Sequence, residues 1–316
     1  MPFLEVRDLR ITFPTAAGVV RAVNGVDLNL ERGEIYGLVG ETGCGKTVTG
    51  LALLGLVPAP GQVAAGRLAL GGVDLLAAGD WNQIRGRRVA MIFQDPAACL
   101  NPTFTIGSQL LDVIRRHVPV SASAARQRAL ELLADVGLPD AGRTLRSYAH
   151  ELSGGMQQRA MIALALASGA QLLIADEPTT ALDVTIQAQI LRLLRSLRDR
   201  HGLTILLITH DLGIVAQTCD RVAVLYAGTV AETARTSDLF RRPSHPYTQA
   251  LLAALPRRGS RGQPLAAIEG QVPSGLHLAA GCPFTPRCRF AFDRCRVDGP
   301  VLRQVAAEHT AACHLY

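Results

Sequence analysis

Residues 40–47 read Gly-Glu-Thr-Gly-Cys-Gly-Lys-Thr, and their types and spacing suit one chemistry: backbone N–H groups folded around a chain of phosphates. Lys46 is the telling member. It is the only lysine among the 32 Lys and Arg side chains, so the other 31 are arginines. A compact ammonium on a flexible stem fits between crowded amides and outer phosphate oxygens, where a planar guanidinium fork does not. The amides of Gly43 to Thr47 would cradle the phosphates, and the Thr47 hydroxyl would reach a Mg²⁺ ion.

Three further polar stations close apolar runs. Gln94 follows Val89 to Phe93, Asp176-Glu177 follows Leu172 to Ala175, and His210 follows Thr204 to Thr209. Taken singly, each reads equally as a strand terminus or a satisfied loop residue. Together with the glycine loop they put polar groups at the ends of four strands, where open parallel sheets bind ligands. There Asp176 would hold the Mg²⁺ shell, and Glu177, pointing differently, would orient or deprotonate an attacking water. Leu152-Ser153-Gly154-Gly155-Met156-Gln157 offers a second anion-binding helix start. Ser153 suits an N-cap for a helix over 156–167, but capping alone does not explain two adjacent glycines.

Such residues need strands and helices to aim them. The apolar run 35–39 enters the glycine loop as a strand, and 46–56 leaves it as a helix, the context a phosphate loop requires. Before it, 3–13 and 19–30 alternate as half-buried strands punctuated by Gly18, Gly25 and Gly33, which predicts an antiparallel β layer. Segment 67–76 reads as strand and turn. From about 105 to 167 the texture is helical, with Ser121 capping a helix that ends at Gly137. A helix carrying Ile186, Ile190, Leu193, Leu194 and Leu197 on one face follows Glu177, and 221–231 reads as a strand pair turning at Gly228. Alternating strands and helices predict a mostly parallel sheet covered on both faces.

Bulk composition narrows the class. A length of 316 residues with 48% hydrophobic content allows two domains, or one large domain with an extension. No apolar run reaches the 18 residues of a membrane span, and the first residues alternate charged with apolar types rather than forming a signal peptide. The expected location is therefore the cytoplasm. Net charge is +6, of which +4 lies in residues 257–316; a basic tail without interleaved aromatics is a weak argument for nucleic acid.

The order and spacing of these motifs over residues 3–235 closely resemble the ATP-binding subunits of ABC transporters. By that resemblance Gly40, Glu41, Thr42, Gly43, Cys44, Gly45, Lys46 and Thr47 form the Walker A loop, and Gln94 marks the Q-loop. Ser153, Gly154 and Gly155 open the signature motif, Asp176 and Glu177 close Walker B, Ala181-Leu182-Asp183 match the D-loop, and His210 is the switch histidine. Met156 stands where the family usually has glutamine, and Cys44 places an alkylatable thiol inside the loop. The implied fold is an α/β P-loop NTPase with a mostly parallel central sheet, an N-terminal antiparallel β layer and a helical insert at about 95–167. The ATPase domain would cover 1–235 and a small extension 236–316.

The resemblance further implies a head-to-tail dimer in which the Ser153 loop of one subunit closes over ATP and Mg²⁺ held by the Lys46 loop of the other. Thr47, Gln94 and Asp176 would serve the Mg²⁺, Glu177, His210 and Gln94 the hydrolysis, and Asp183 the dimer's nucleotide site. Phe13 would stack on adenine, with strand-core packing the competing reading. Expected partners are a second ATPase subunit of the same or a related chain, two membrane permeases met by the helical insert and, indirectly, an external solute-binding protein. That places the chain on the cytoplasmic face of the cell membrane, without nucleic acid.

The tail points to a branch. Arg242-Pro243-Ser244-His245-Pro246-Tyr247 and Gly281-Cys282-Pro283-Phe284-Thr285-Pro286-Arg287-Cys288 look like the C-terminal extension of oligopeptide, dipeptide and nickel importers. Four of the seven cysteines, Cys282, Cys288, Cys295 and Cys313, fall in the last 35 residues. In a reducing compartment clustered thiols suggest a metal, although the usual closely spaced zinc pairs are missing. The resemblance favours a [4Fe–4S] cluster, with zinc as the alternative and free structural thiols as the third reading. The expected function is the ATP-hydrolysing motor of an importer for peptides or a related small solute. A soluble ABC-type ATPase acting on nucleic acid or ribosomes through a zinc-binding tail is the rival, and a non-hydrolysing regulatory subunit is opposed by the intact Glu177 and His210.

Overall fold

The computed structural model describes residues 2–77, 79–180, 182–255, 268–276, 278 and 280–316. Ala181 and the Gly/Arg-rich link at 257–262 lie outside the described residues. In chain order the first elements are β1 (Leu4–Thr15), β2 (Gly18–Leu30), β3 (Ile35–Val39), α1 (Lys46–Ala52), β4 (Gln62–Ala64), β5 (Arg67–Leu70) and β6 (Val73–Asp74). Next come β7 (Val89–Ile92), α2 (Pro96–Cys99), α3 (Ile106–His117), α4 (Ala122–Asp135), α5 (Ala141–Thr144), α6 (Gly154–Ala167), β8 (Leu172–Asp176), α7 (Val184–His201) and β9 (Thr204–Thr209). The chain finishes with α8 (Leu212–Thr218), β10 (Arg221–Tyr226), β11 (Thr229–Arg235), α9 (Thr236–Arg241), α10 (Pro246–Ala253), α11 (Asp293–Val297), β12 (Arg303–Ala306) and β13 (His309–Ala311). Two compact units result. Met1–Glu31, Tyr36–Leu76 and Ile208–Tyr316 form one; Arg32–Ile35 and Ala77–Leu207 form the other.

In the first unit the predicted antiparallel layer is present. β1 and β2 form a long hairpin from Leu4↔Leu30 to Thr15↔Gly18, and β5 pairs with the other side of β1. Alternation along β1 sends Leu4, Val6, Leu9 and Ile11 inward, where they meet Val26, Leu28 and Leu30, all at or below 1% exposure. β3 runs parallel to β10, and β10 turns through Gly228 into antiparallel β11 as the sequence predicts. The tail then supplies β13, antiparallel to β11, and β12 beside it. The edge of β11 is thereby covered rather than left open to stray pairing.

A buried carboxylate locks that tail in place. Glu232 on β11 is 0% exposed; it accepts hydrogen bonds from the Ser244 N–H at 2.6 Å and the His245 N–H at 2.9 Å, and lies 2.6 Å from His309 Nε2 on β13. Beside it Tyr226, Tyr247 and Phe284 pack with ring centroids 4.6 to 5.4 Å apart.

In the second unit β7 pairs parallel with β8, from Val89↔Leu172 to Ile92↔Ala175. The predicted helical insert is α3 to α6. Thr105 and Ser121 cap α3 and α4 through their hydroxyls, and Leu110, Ile114, Ala125, Ala129 and Leu133 form its buried seam. On α7, Ile190, Leu194 and Leu197 make the buried stripe that periodicity predicts, and the N–H of Ile186 is capped by Asp183. Among the described residues no helix is long and apolar enough to cross a membrane.

Two boundaries differ from expectation. α1 stops at Ala52 rather than continuing to 56, because Gly55 takes φ 60 and its N–H folds back to the Ala52 carbonyl. α6 begins at Gly154 rather than 156. Both glycines lie inside the helix; an added Cβ would stand 3.1 Å from Ile186 Cγ2 at Gly155, whereas at Gly154 it would meet only Leu182 Cδ2 at 3.9 Å.

Candidate functional site

The strand–loop–helix expected around Lys46 is formed in the first unit. β3 is entirely buried and delivers the chain to Gly40; α1 opens at Gly45, whose φ of 101 turns the loop into the helix without a side-chain cap. No side chain caps this helix start, and helix starts attract anions. Gly40 has no room for a side chain: an added Cβ would stand 2.2 Å from the Leu225 carbonyl oxygen and 2.8 Å from Cys44 Sγ. Lys46 is 6% exposed and its ammonium is held by the loop itself, 2.8 Å from Gly40 O and 3.0 Å from Glu41 O. Thr42, Gly43 and Thr47 are exposed beside it, whereas Cys44 is fully buried and burial pushes its thiol up. Phe13, the adenine candidate, is half-buried on β1 opposite Val20. His210 follows β9 as an exposed residue.

In the second unit strand register brings two predicted residues together. Ile92 faces Ala175 across the parallel pair, so two residues on, Gln94 faces Glu177. Gln94 Nε2 donates to Glu177 Oε2 at 3.3 Å, and Thr180 Oγ1 donates to the same oxygen at 2.9 Å. Glu177 adopts φ 46, in the left-handed region that non-glycine residues rarely enter. Asp176, the preceding acid, ends β8 at 4% exposure.

Ser153 sits at the N-cap of α6 but makes no side-chain cap bond, and it is exposed with Gly154. Gly155 approaches α7 so closely that a Cβ would lie 3.1 Å from Ile186 Cγ2, which accounts for the second glycine. Gln157 ties the start of this helix to the Ala149 and Leu152 carbonyls. Asp183 lies near the same corner, its carboxylate occupied by the Ile186 N–H.

The sequence reading missed the tail's contribution to the phosphate loop. The Tyr247 hydroxyl accepts the Glu41 N–H at 3.1 Å, and Arg287 grips the Glu41 carboxylate with both Nη atoms, at 2.7 and 3.0 Å. The one available signal was an acid at a free position of the loop pattern and an arginine between two clustered cysteines.

Cys282, Cys288, Cys295 and Cys313 do line one small cavity, of about 20 Å³, together with Phe284, Phe290 and Phe292. Burial pushes the thiols of Cys282, Cys288 and Cys313 up. Yet among the described residues no three His, Cys, Asp or Glu side chains are arranged to hold a metal ion. A cavity holding about one water-sized body does not admit an iron–sulfur cluster as it stands.

Comparison with known proteins gives the site its context. The ABC transporter family matches residues 23–180, and the C-terminal region of oligopeptide/dipeptide transporters matches residues 231–295. The chain is 49% identical to the probable peptide ABC transporter ATP-binding protein y4tR of Sinorhizobium fredii, over 98% of this chain and 94% of that one. It is 45% identical to the dipeptide transport ATP-binding protein DppD of Escherichia coli, over 99% and 97% of the two chains. Among solved structures, the dimeric ATP-binding cassette MJ0796 bound to ADP and Pi matches with a TM-score of 0.65 at 27% identity, covering 74% of this chain and 98% of that one. By these matches the chain belongs to the ABC transporter ATP-binding family, in its oligopeptide/dipeptide branch.

Proposed function

We propose that this chain is the ATP-hydrolysing motor of an importer for dipeptides, oligopeptides or a related small solute. The observation that carries the reading is near full-length identity, tail included, to ATP-binding proteins of dipeptide and peptide transport. Members of this ATPase family hydrolyse ATP to drive transport, and the match of residues 231–295 to a transporter region favours transport over action on nucleic acid or ribosomes. The partners would be a second ATPase subunit, two permeases and, indirectly, an external solute-binding protein. The chain would then work peripherally at the cytoplasmic face of the membrane.

We infer residue roles from the family resemblance together with the chemistry of each group. Lys46 and the amides of Gly43 to Thr47 bind the phosphates, releasing the ammonium from the Gly40 and Glu41 carbonyls it now holds. Thr47 in the first unit and Asp176 and Gln94 in the second each carry a hard oxygen of the kind Mg²⁺ prefers, and such an ion would neutralise charge on the phosphates. Glu177, held by Gln94 and Thr180, accepts a proton from the attacking water, and His210 steadies the outer phosphate. Ser153, Gly154 and Gly155, with an open helix start, complete the partner's nucleotide site near Asp183, and Phe13 stacks on the base. Glu177→Gln keeps the Thr180 bond through its amide oxygen, so ATP binding persists while turnover falls by about 10² to 10⁴. A Glu177→Gln protein that hydrolyses ATP at the normal rate refutes that role. Copurification with two permeases and ATP-dependent dipeptide uptake by the reconstituted complex test the transport reading; ATPase activity stimulated by nucleic acid instead supports the rival.

For the tail, four soft thiols line one cavity, a set that suits zinc or an iron–sulfur cluster, and the resemblance to the peptide-importer branch favours a [4Fe–4S] cluster over zinc. The thiols must move outward to take a cluster. Iron and acid-labile sulfide in anaerobically purified protein support it, and stoichiometric zinc without iron rejects it.

A further inference from the structure

Arg287 belongs to the tail, one residue before Cys288, yet its guanidinium is aimed at the phosphate loop. Its side chain is 4% exposed and its donors are occupied. Nε donates to Glu269 O at 2.9 Å, Nη2 to Ile268 O at 3.2 Å and Nη1 to the Tyr226 hydroxyl at 3.4 Å, with Tyr226 in cation–π range at 5.8 Å. These fixed partners make Arg287 an anchored fork rather than a wandering surface charge. The fork closes on both carboxylate oxygens of Glu41, the second residue of the loop. From there the connection continues: the Glu41 N–H is held by Tyr247, and the Glu41 carbonyl accepts from the Lys46 ammonium at 3.0 Å.

A carboxylate in a loop that must receive a triphosphate is an electrostatic obstacle. Left alone, Glu41 repels the phosphates and competes with them for Lys46. Bidentate pairing with a buried guanidinium removes both liabilities, because it cancels the charge and fixes the carboxylate's direction. We propose that Arg287 is a positioning residue of the nucleotide site: by neutralising and orienting Glu41 it sets the affinity of the Lys46 loop for ATP, so that the C-terminal extension is a working part of that site. This rests on the reading of the Lys46 loop as the ATP-binding loop.

The test is a two-by-two cycle on the full-length chain, with AMP-PNP and Mg²⁺ as the probe and affinity read by calorimetric titration. Arg287→Ala is expected to weaken binding about tenfold in the native background and less than about twofold in a Glu41→Gln background, where no carboxylate remains to be neutralised. A general packing role of Arg287 would give equal losses in both backgrounds; equal losses, or undiminished affinity in Arg287→Ala, overturn the proposal. Arg287→Lys keeps the charge without the two-pronged grip, loses about two- to fivefold, and serves if the alanine variant folds poorly. Arg235→Ala, which breaks an exposed ion pair with Glu308 elsewhere in the tail, leaves affinity unchanged. Lys46→Ala separates the two readings: if it binds AMP-PNP normally, the loop assignment itself fails, whereas if it alone loses binding while Arg287→Ala does not, only the Arg287 proposal fails.

Discussion

Replacing Glu232 with alanine removes the carboxylate that docks the tail. At 0% exposure it has no water to fall back on, and its three contacts come from different segments: two successive N–H groups at the start of α10 and the ring of His309 on β13. A hydrogen bond to a charged group contributes about 1.5–3 kcal/mol, and each buried N–H left without an acceptor costs about 1–3 kcal/mol. Some of that loss is regained because alanine no longer holds a desolvated charge. A net destabilisation of roughly 3–5 kcal/mol follows, with the Glu232→Gln variant between it and the native chain, since one amide oxygen still accepts. Urea unfolding followed by circular dichroism reads the loss as a lowered midpoint at constant slope. The same variant carries a functional consequence, because α10 bears Tyr247, the acceptor for the Glu41 N–H. Its apparent KM for ATP should rise even at temperatures where the protein remains folded. A shift below about 1 kcal/mol with an unchanged KM would refute the idea that this carboxylate holds the tail against the loop.

Two further outcomes follow from the same region. Gly40→Ala pushes a Cβ to within 2.2 Å of Leu225 O; the backbone has to move, costing about 1–3 kcal/mol in thermal stability and at least about tenfold in nucleotide affinity, and a variant that binds AMP-PNP normally contradicts the close fit. Burial pushes His245 down to about 4, so it is neutral in the fold while the unfolded chain protonates near 6.5. Between those pH values the unfolded state binds more protons, so stability rises with pH: the contribution of roughly 3 kcal/mol is whole above about 6.5 and is lost as pH falls toward 4. His245→Asn, which keeps a short acceptor for the Tyr247 N–H, should flatten that part of the urea-midpoint profile from pH 4 to 7.

Much of this protein is legible locally. The β1–β2 alternation, the strand into Gly40, the Ser121 cap and the α7 stripe each arise within a few residues of one another, so period and turn chemistry suffice to read them. Register carried one site contact almost to the page: two apolar strands of similar length, each with its polar residue just beyond, become neighbours once β7 and β8 pair in parallel. Where the reading slipped, at the end of α1 and the start of α6, the deciding factors were a left-handed Gly55 and the packing of Gly155 against Ile186. Neither effect belongs to helix propensity.

The sequence by itself determined the phosphate loop, the order of the family motifs and the tail's branch, because those depend on residue types at fixed short spacings. Tertiary structure alone decided what surrounds them. Arg287 meets Glu41 across 246 positions, and Glu232 meets His309 across 77. No periodicity spans such separations. The pairs exist because β13 adds to β11 and α10 docks beside the loop, and only the folded chain brings a cation of the cysteine tail to the carboxylate beside the lone lysine.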